Sequence, residues 1–291
     1  MNIEEWVENN TIHKIVAGSH LYGTARPDSD IDIRGVCLGP PETLIGLSEF
    51  KQYQGSKNED TCIYELRRFC SLALQANPNI LDILFAPPDA WLIHDGRWRL
   101  IYDNRHAFLS EKVRYTFSGY AISQLKRMGR HRAWLVDPPD HKPTQDEYGA
   151  TWDGSTWQFP KIAREKEYRS ANEKWKNYQK WLENRNPARA QMERESGFDR
   201  KYACHLARLL LQAANILRDG DYNPILESTD RNVVCWVLEG VFDYSIIIDW
   251  AHTMDEMIMS LNTELPKTPD RNHIEQLCMQ IYLEELRGGQ A

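Results

Sequence analysis

The run VAGSHLYGTARPDSDIDIRG, residues 16–35, constrains this chain more than any other stretch. From Asp30 to Leu38 polar and apolar residues alternate as in a strand, with Ile31 and Ile33 on one face and Asp30, Asp32 and Arg34 on the other. Two aspartates two residues apart project their carboxylates from the same face. Like charges that close repel, so one must protonate unless a cation lies between them. A divalent ion resolves the conflict, because Mg²⁺ is commonly held by one or two protein carboxylates together with substrate phosphates. Upstream, a strand expected over 12–18 ends at Gly18-Ser19, where a turn or helix start exposes backbone N–H groups suited to a phosphate. The Ser19 hydroxyl adds a further contact, and Gly18 and Gly23 let the backbone approach closely.

Around this run the pattern predicts a helix at 2–9, a strand at 60–65 (DTCIYE), a helix at 66–76 and a β-like segment in NPNILDILFAPP, bounded by prolines. Beyond it the chain reads as helical. Helices are expected at 111–129, 161–184, 199–218 with Asp199 as its cap, 230–261 and 270–287, and a Pro-rich connection follows the first of them. The expected fold class is α+β, a mixed sheet with flanking helices over residues 1–105 followed by an all-helical domain over 106–291.

At 291 residues with 42% hydrophobic and 26% charged, the composition is that of a globular chain. No apolar run approaches the roughly 20 residues that span a bilayer, and the acidic MNIEEWVENN start lacks signal-peptide features. The expected setting is the cytoplasm, with no membrane partner. Six scattered cysteines and nine histidines without ligand spacing suggest neither a zinc site nor a disulfide frame. The tryptophans at 152, 157, 175 and 181 are expected as packing anchors. A net charge of −7 disfavours a long nucleic-acid groove but leaves room for a local basic patch. LKRMGRHRAW, residues 125–134, supplies one: Lys126, Arg127, Arg130, His131 and Arg132 beside Trp134. Such a patch contacts an acceptor or nucleotide phosphates, or simply complements a helix C-terminus.

The pattern Gly-Ser-x3-Gly-x5-Ser-Asp-x-Asp, residues 18–32, resembles the signature of the DNA polymerase β-like nucleotidyltransferase superfamily. The order of YELRRFCSLALQANPNILDILFAP, HRAWLVDPPDHKPT, GFDRKYACHLARLL and LPKTPDRNHIEQL extends the likeness over nearly the whole chain, toward a bacterial and phage branch described only as predicted nucleotidyltransferases. The resemblance implies transfer of NMP from an NTP to an acceptor hydroxyl with release of pyrophosphate, and two Mg²⁺ or Mn²⁺ ions held by Asp30, Asp32 and a third carboxylate. Asp60 is the first choice for that third group, with Asp82 and Glu65 as alternatives. Gly18, Ser19 and Gly23 would hold the nucleotide. Lys201, His205 and Arg208, at i, i+4 and i+7 of the 199–218 helix, form a polar stripe that would face the β- and γ-phosphates. Arg34 either pairs with a carboxylate or touches a phosphate. An RNA end, a nucleotide, a protein or a small molecule all remain compatible as acceptor, the first two preferred. The competing reading is a regulatory module that binds NTP on the same fold without turnover.

Overall fold

Local signals set the first elements of the computed structural model, which describes residues 2–55 and 60–288, leaving out the side chains of 188, 189 and 288. Asn2 caps α1 (Ile3–Asn10) by accepting from the Glu4 N–H. The chain then extends as β1 (Thr11–Ala17), turns through a five-residue helix α2 (Gly18–Tyr22), and returns as β2 (Asp32–Cys37). A helical turn α3 (Pro41–Leu44), β3 (Gln52–Gln54) and β4 (Thr61–Glu65) follow. Glu65 ends β4 and caps α4 (Leu66–Ala73), accepting from the Arg68 N–H at 3.0 Å.

The segment expected as β-like is a helix, α5 (Pro78–Phe85). Asn77 caps it and Pro78 occupies its first turn, a pairing that starts helices. All eight residues but Asn79 are buried, so the apolar run has no exposed face to reveal a 3.6-residue period. Asp82, expected mid-strand, therefore sits on a buried helix. β5 (Trp91–His94) and α6 (Gly96–Asp103) complete the N-terminal part.

The strands form one mixed sheet in the order β3-β4-β2-β1-β5. β1 pairs antiparallel with both β2 and β5, and β2 pairs parallel with β4. Ala17 lies opposite Asp32 and Ile33 opposite Thr61. The end of β1, the start of β2 and the start of β4 thus meet at one edge of the sheet.

The second half is helical: α7 (Lys112–Val136), α8 (Ile162–Glu183), α9 (Pro187–Ser196), α10 (Arg200–Asp219), α11 (Ser228–Glu239), α12 (Tyr244–Ser260) and α13 (Arg271–Gly288). Asp199 caps α10, accepting from the Lys201 N–H at 2.8 Å. Two departures stand out. The helix expected over 230–261 is broken at Gly240, whose φ of +80° favours glycine. Between α7 and α8 a short hairpin, β6 (Thr151–Trp152) with β7 (Trp157–Gln158), interrupts the helices. Its Trp152 and Trp157 pack against each other with tilted rings at 5.6 Å and stay exposed, so these two are not core anchors. The buried core is continuous from Ile15 and Val36 of the sheet through α5 to Phe117, Leu206, Leu210, Ile258 and Ile281, so both halves of the chain share it. No helix among the described residues is long and apolar enough to cross a membrane.

Candidate active site

The sheet edge brings Asp32 and Asp60 together. Ile33 donates its N–H to the Asp60 carbonyl at 2.8 Å, which fixes the start of β4 beside β2. Arg34 lies on the same face. Its Nη2 stands 2.9 Å from Asp60 Oδ1 and 3.4 Å from Asp32 Oδ1, while Nη1 donates to the Asp60 carbonyl. Arg34 therefore pairs with carboxylates, one of the two roles expected of it. Burial, a shared hydrogen bond with Asp60, and the charges of Asp60 and Asp30 push the Asp32 carboxyl up to about 6, against the opposing pull of Arg34. The same shared bond and Arg34 hold the Asp60 carboxyl below its ordinary value. Of the two, Asp32 is therefore the one that takes up a proton first as pH falls, and Asp60 the one that stays ionised longer. Asp30 precedes the first residue of β2, is exposed, and acts on Asp32 through its charge.

The other two candidates for the third carboxylate are occupied elsewhere. Glu65 is buried, accepts from Tyr282 Oη on α13 and pairs with Arg67 at 3.2 Å. Asp82 is buried, accepts from Tyr22 Oη at 2.7 Å and from Tyr222 Oη, and lies 3.7 Å from Arg208 Nη1. Both are ties between the sheet unit and the C-terminal helices.

Gly18 is held against Asp32. Its φ is +64°, and a Cβ there would lie 1.9 Å from Asp32 Oδ2. Only glycine lets this carboxylate fold back over the turn. The half-buried Ser19 accepts from the Thr24 N–H at 2.9 Å through its carbonyl. Gly23 closes α2 in the left-handed region, and Arg231 Nη1 stands 3.3 Å from where its Cβ would be. No carboxylate among the described residues pairs with Arg231. It is a cation at the Gly18–Gly23 turn that sequence spacing does not reveal, because it comes from α11, some two hundred residues away in the chain.

The stripe on α10 divides. Lys201 and His205 are exposed. Arg208 is not available to a phosphate in this structure: it is buried beneath the Tyr22 ring at 4.1 Å, donates to Gln212 Oε1 at 2.7 Å, and its charge is met by Asp82. Arg208, the C-terminal member of the stripe, enters the interface with the sheet unit and props the back of α2. The basic patch divides as well. It lies inside α7 rather than at a helix end. His131 stacks on Trp134 at 5.5 Å and meets the Tyr202 ring edge-on, and Arg132 covers the Tyr244 ring at 4.6 Å. Lys126, Arg127 and Arg130 are exposed.

Residues 1–142 match the sequence model of a family described as the RNA repair pathway DNA polymerase beta family. This unit belongs to the polymerase β-like nucleotidyltransferases. The nucleotidyltransferase unit also resembles a protein of Enterobacteria phage T4 named "Uncharacterized 38.9 kDa protein in nrdC-mobD intergenic region", 34% identical over 131 residues. That match covers 41% of this chain and 39% of the phage protein's own length.

A second group of potential metal ligands lies outside the nucleotidyltransferase unit's sheet edge. Among the described residues, His131, Glu193 and Asp199 bring ligand atoms within 4.8 Å of one another. Two of them already serve structure: Asp199 caps α10, and Glu193 accepts from Arg185 at 2.9 Å.

Proposed function

We propose that this protein transfers NMP from an NTP to an acceptor hydroxyl and releases pyrophosphate, with Asp30, Asp32 and Asp60 as its metal-binding carboxylates. The observation that carries the reading is the Asp32–Asp60 pair, two carboxylates close enough to share a proton at one sheet edge, with Asp30 adding a third negative charge. An all-oxygen donor set of this kind suits Mg²⁺ or Mn²⁺, and a divalent ion would take the place of the shared proton. When bound, a metal pair neutralises charge on the transferring phosphoryl group and on the leaving oxygens.

The chain's own residues then have separable tasks. Gly18 allows the Asp32 carboxylate to lie over the phosphate turn. Ser19, Lys201, His205 and Arg231 compensate the triphosphate. Arg34 orients Asp32 and Asp60 and keeps Asp60 ionised. The acceptor oxygen attacks the α-phosphorus, its proton passes to Asp60, and the bond to the β-phosphate oxygen breaks to release pyrophosphate. An RNA 3′ end is the favoured acceptor, in keeping with the RNA-repair description of the matching family.

The test incubates pure protein with each α-³²P-labelled NTP, Mg²⁺ or Mn²⁺, and a single-stranded RNA carrying a free 3′ hydroxyl. Label entering the RNA with stoichiometric pyrophosphate, in the wild type but not in Asp32→Asn, is the expected result. Tight metal-dependent NTP binding without pyrophosphate would replace this reading with the regulatory binding module.

A further inference from the structure

The exposed face of α7 carries a feature that the nucleotidyl-transfer reading leaves unused. In a chain of net charge −7, α7 spans 25 residues with Lys112, Arg114, Lys126, Arg127, Arg130 and Arg132 and no Asp or Glu. Arg114 is buried, donating to backbone carbonyls near Ile258 and Leu261, and Arg132 packs on Tyr244. The other four cations are at or near the surface. Thr116, Tyr120, Ser123, Arg127 and Arg130 follow one another at steps of four and three, so they form a single stripe along the helix.

At its N-terminal end this stripe enters an open pocket of about 310 Å³ lined by Gln75, Asn77, Lys112, Thr116 and Tyr120. The pocket is built rather than incidental. Asn77 Nδ2 donates to Tyr120 Oη at 2.7 Å, Thr116 Oγ1 to the Gln75 carbonyl at 3.0 Å, and Lys112 Nζ to the Leu74 carbonyl at 3.3 Å. The loop supplying Gln75 and Asn77 turns through Ala76 at φ +53°, the one non-glycine residue with positive φ among the described residues. Residues are held in that region only where their surroundings impose it.

Asp60, Cys62 and Tyr64 alternate on one face of the β4 strand and its approach, and Cys62 lies opposite Arg34. Burial raises the Tyr64 phenol, with Cys62 and Tyr120 adding to the shift and Arg34 opposing it, so Tyr64 is near enough to both Arg34 and Tyr120 to feel them. Tyr120, 39% exposed, presents an aromatic face there. From Tyr120 to Arg130 the stripe runs about 15 Å at the helical rise.

We propose that this face of α7 is the acceptor track: a single-stranded RNA lies along it, its phosphates on Arg127 and Arg130, a base near its 3′ end on Tyr120, and its terminal hydroxyl directed past Tyr64 to Asp60. The proposal rests on the nucleotidyl-transfer reading for its direction, and on charge and aromatic placement for its site. Basic residues interleaved with aromatics suit a single strand, which offers both phosphates and unpaired base faces. Exposed Lys174 and Lys176 belong to α8 rather than to the α7 stripe and serve as charge controls.

The test measures anisotropy of a fluorescein-labelled ten-nucleotide single-stranded RNA over a range of KCl concentrations, with Mg²⁺-dependent ATP binding measured separately on the same proteins. The Arg127→Glu/Arg130→Glu double variant is expected to bind RNA at least about tenfold more weakly. Its slope of log K against log salt should flatten by about 1.4, at about 0.7 per lost phosphate contact on a single strand. Tyr120→Ala should weaken RNA binding about fivefold or more, while Tyr120→Phe, which loses the Asn77 bond but keeps the ring, should bind as the wild type. Lys174→Glu/Lys176→Glu should leave the affinity unchanged, and ATP binding should survive in every variant. Wild-type affinity and salt slope in the double variant, equal loss in the α8 control, or no RNA binding by the wild type would overturn the track. Failure of label transfer by a protein that still grips RNA through α7 would instead overturn the nucleotidyl-transfer reading alone.

Discussion

Asp32 and Asp82 are both partly or fully withdrawn from water, and their surroundings answer that differently. Asp82 is buried with two tyrosine hydroxyls donating to it and the Arg208 guanidinium beside it. Its charge is met within the protein, and its partners come from α2, α10 and the segment before α11. Asp32 is half-buried against a second carboxylate, with Arg34 the one cation among the described residues that pairs with both. The first arrangement meets the carboxylate from within the protein and ties two halves of the chain together. The second is short of positive charge, which is the condition of a site that binds a cation. The contrast shows that satisfaction of a carboxylate, rather than its burial, separates a structural acid from a reactive one.

The largest expected effect on this contrast is catalytic. Asp32→Asn should reduce pyrophosphate release by at least about 10³-fold, the scale of losing several kcal/mol of metal-borne charge stabilisation. Steady-state release from NTP and RNA checks it. Asp82→Ala should act the other way, on folding. It strands the buried Arg208 and two phenols, and removing one partner of a buried pair costs about 3–5 kcal/mol. Urea unfolding of the two variants should therefore show a large loss for Asp82→Ala and a change of no more than about 1 kcal/mol for Asp32→Asn.

A smaller effect separates Asp32 from Asp82 by pH. The Asp32 carboxyl is raised from 3.8 to about 6 in the folded protein, so the folded state holds this proton more tightly than the unfolded chain does. The stability it contributes is full below about pH 4 and is lost as pH rises through about 6. In metal-free buffer, stability should fall by on the order of 1 kcal/mol across that window, after allowance for solvent screening. Asp32→Asn should remove this slope. The lowered Asp60 carboxyl contributes stability that is lost only as pH falls below the ordinary carboxylate range, so the two do not overlap. An effect of about the same size concerns the turn. Gly18→Ala meets both the positive φ and the Asp32 carboxylate, so about 1–2 kcal/mol of destabilisation is expected by thermal unfolding.

Much of the site was legible because its chemistry is local. Gly18, Ser19, Asp30 and Asp32 fall within fifteen residues, and strand alternation puts the two aspartates on one expected face, although β2 begins only at Asp32 and the exposed Asp30 lies ahead of it. Asp60 follows from the same alternation on a neighbouring strand. What escaped the sequence depends on pairings across the chain. Asp82 read as a strand residue because α5 is buried all round and hides its period. Arg208 shares a helical stripe with Lys201 and His205, yet the rotation of α10 against α5 takes it into the core, a matter of packing that spacing does not encode. Arg231 reaches Gly23 from the far half of the chain. Of the basic cluster, His131 and Arg132 turn to aromatic neighbours on α10 and α12 while Arg127 and Arg130 stay outside, again because of contacts between elements and not within them.

The central claim is that the Asp32–Asp60 edge exists to take a divalent cation together with a nucleotide. It is tested most directly by electron paramagnetic resonance of Mn²⁺ titrated into the protein with and without ATP, in the wild type and in Asp32→Asn. The account predicts tight, ATP-dependent Mn²⁺ binding by the wild type that is lost in the variant. Equal binding by both proteins would contradict it and place the ion, and with it the chemistry, elsewhere in the molecule.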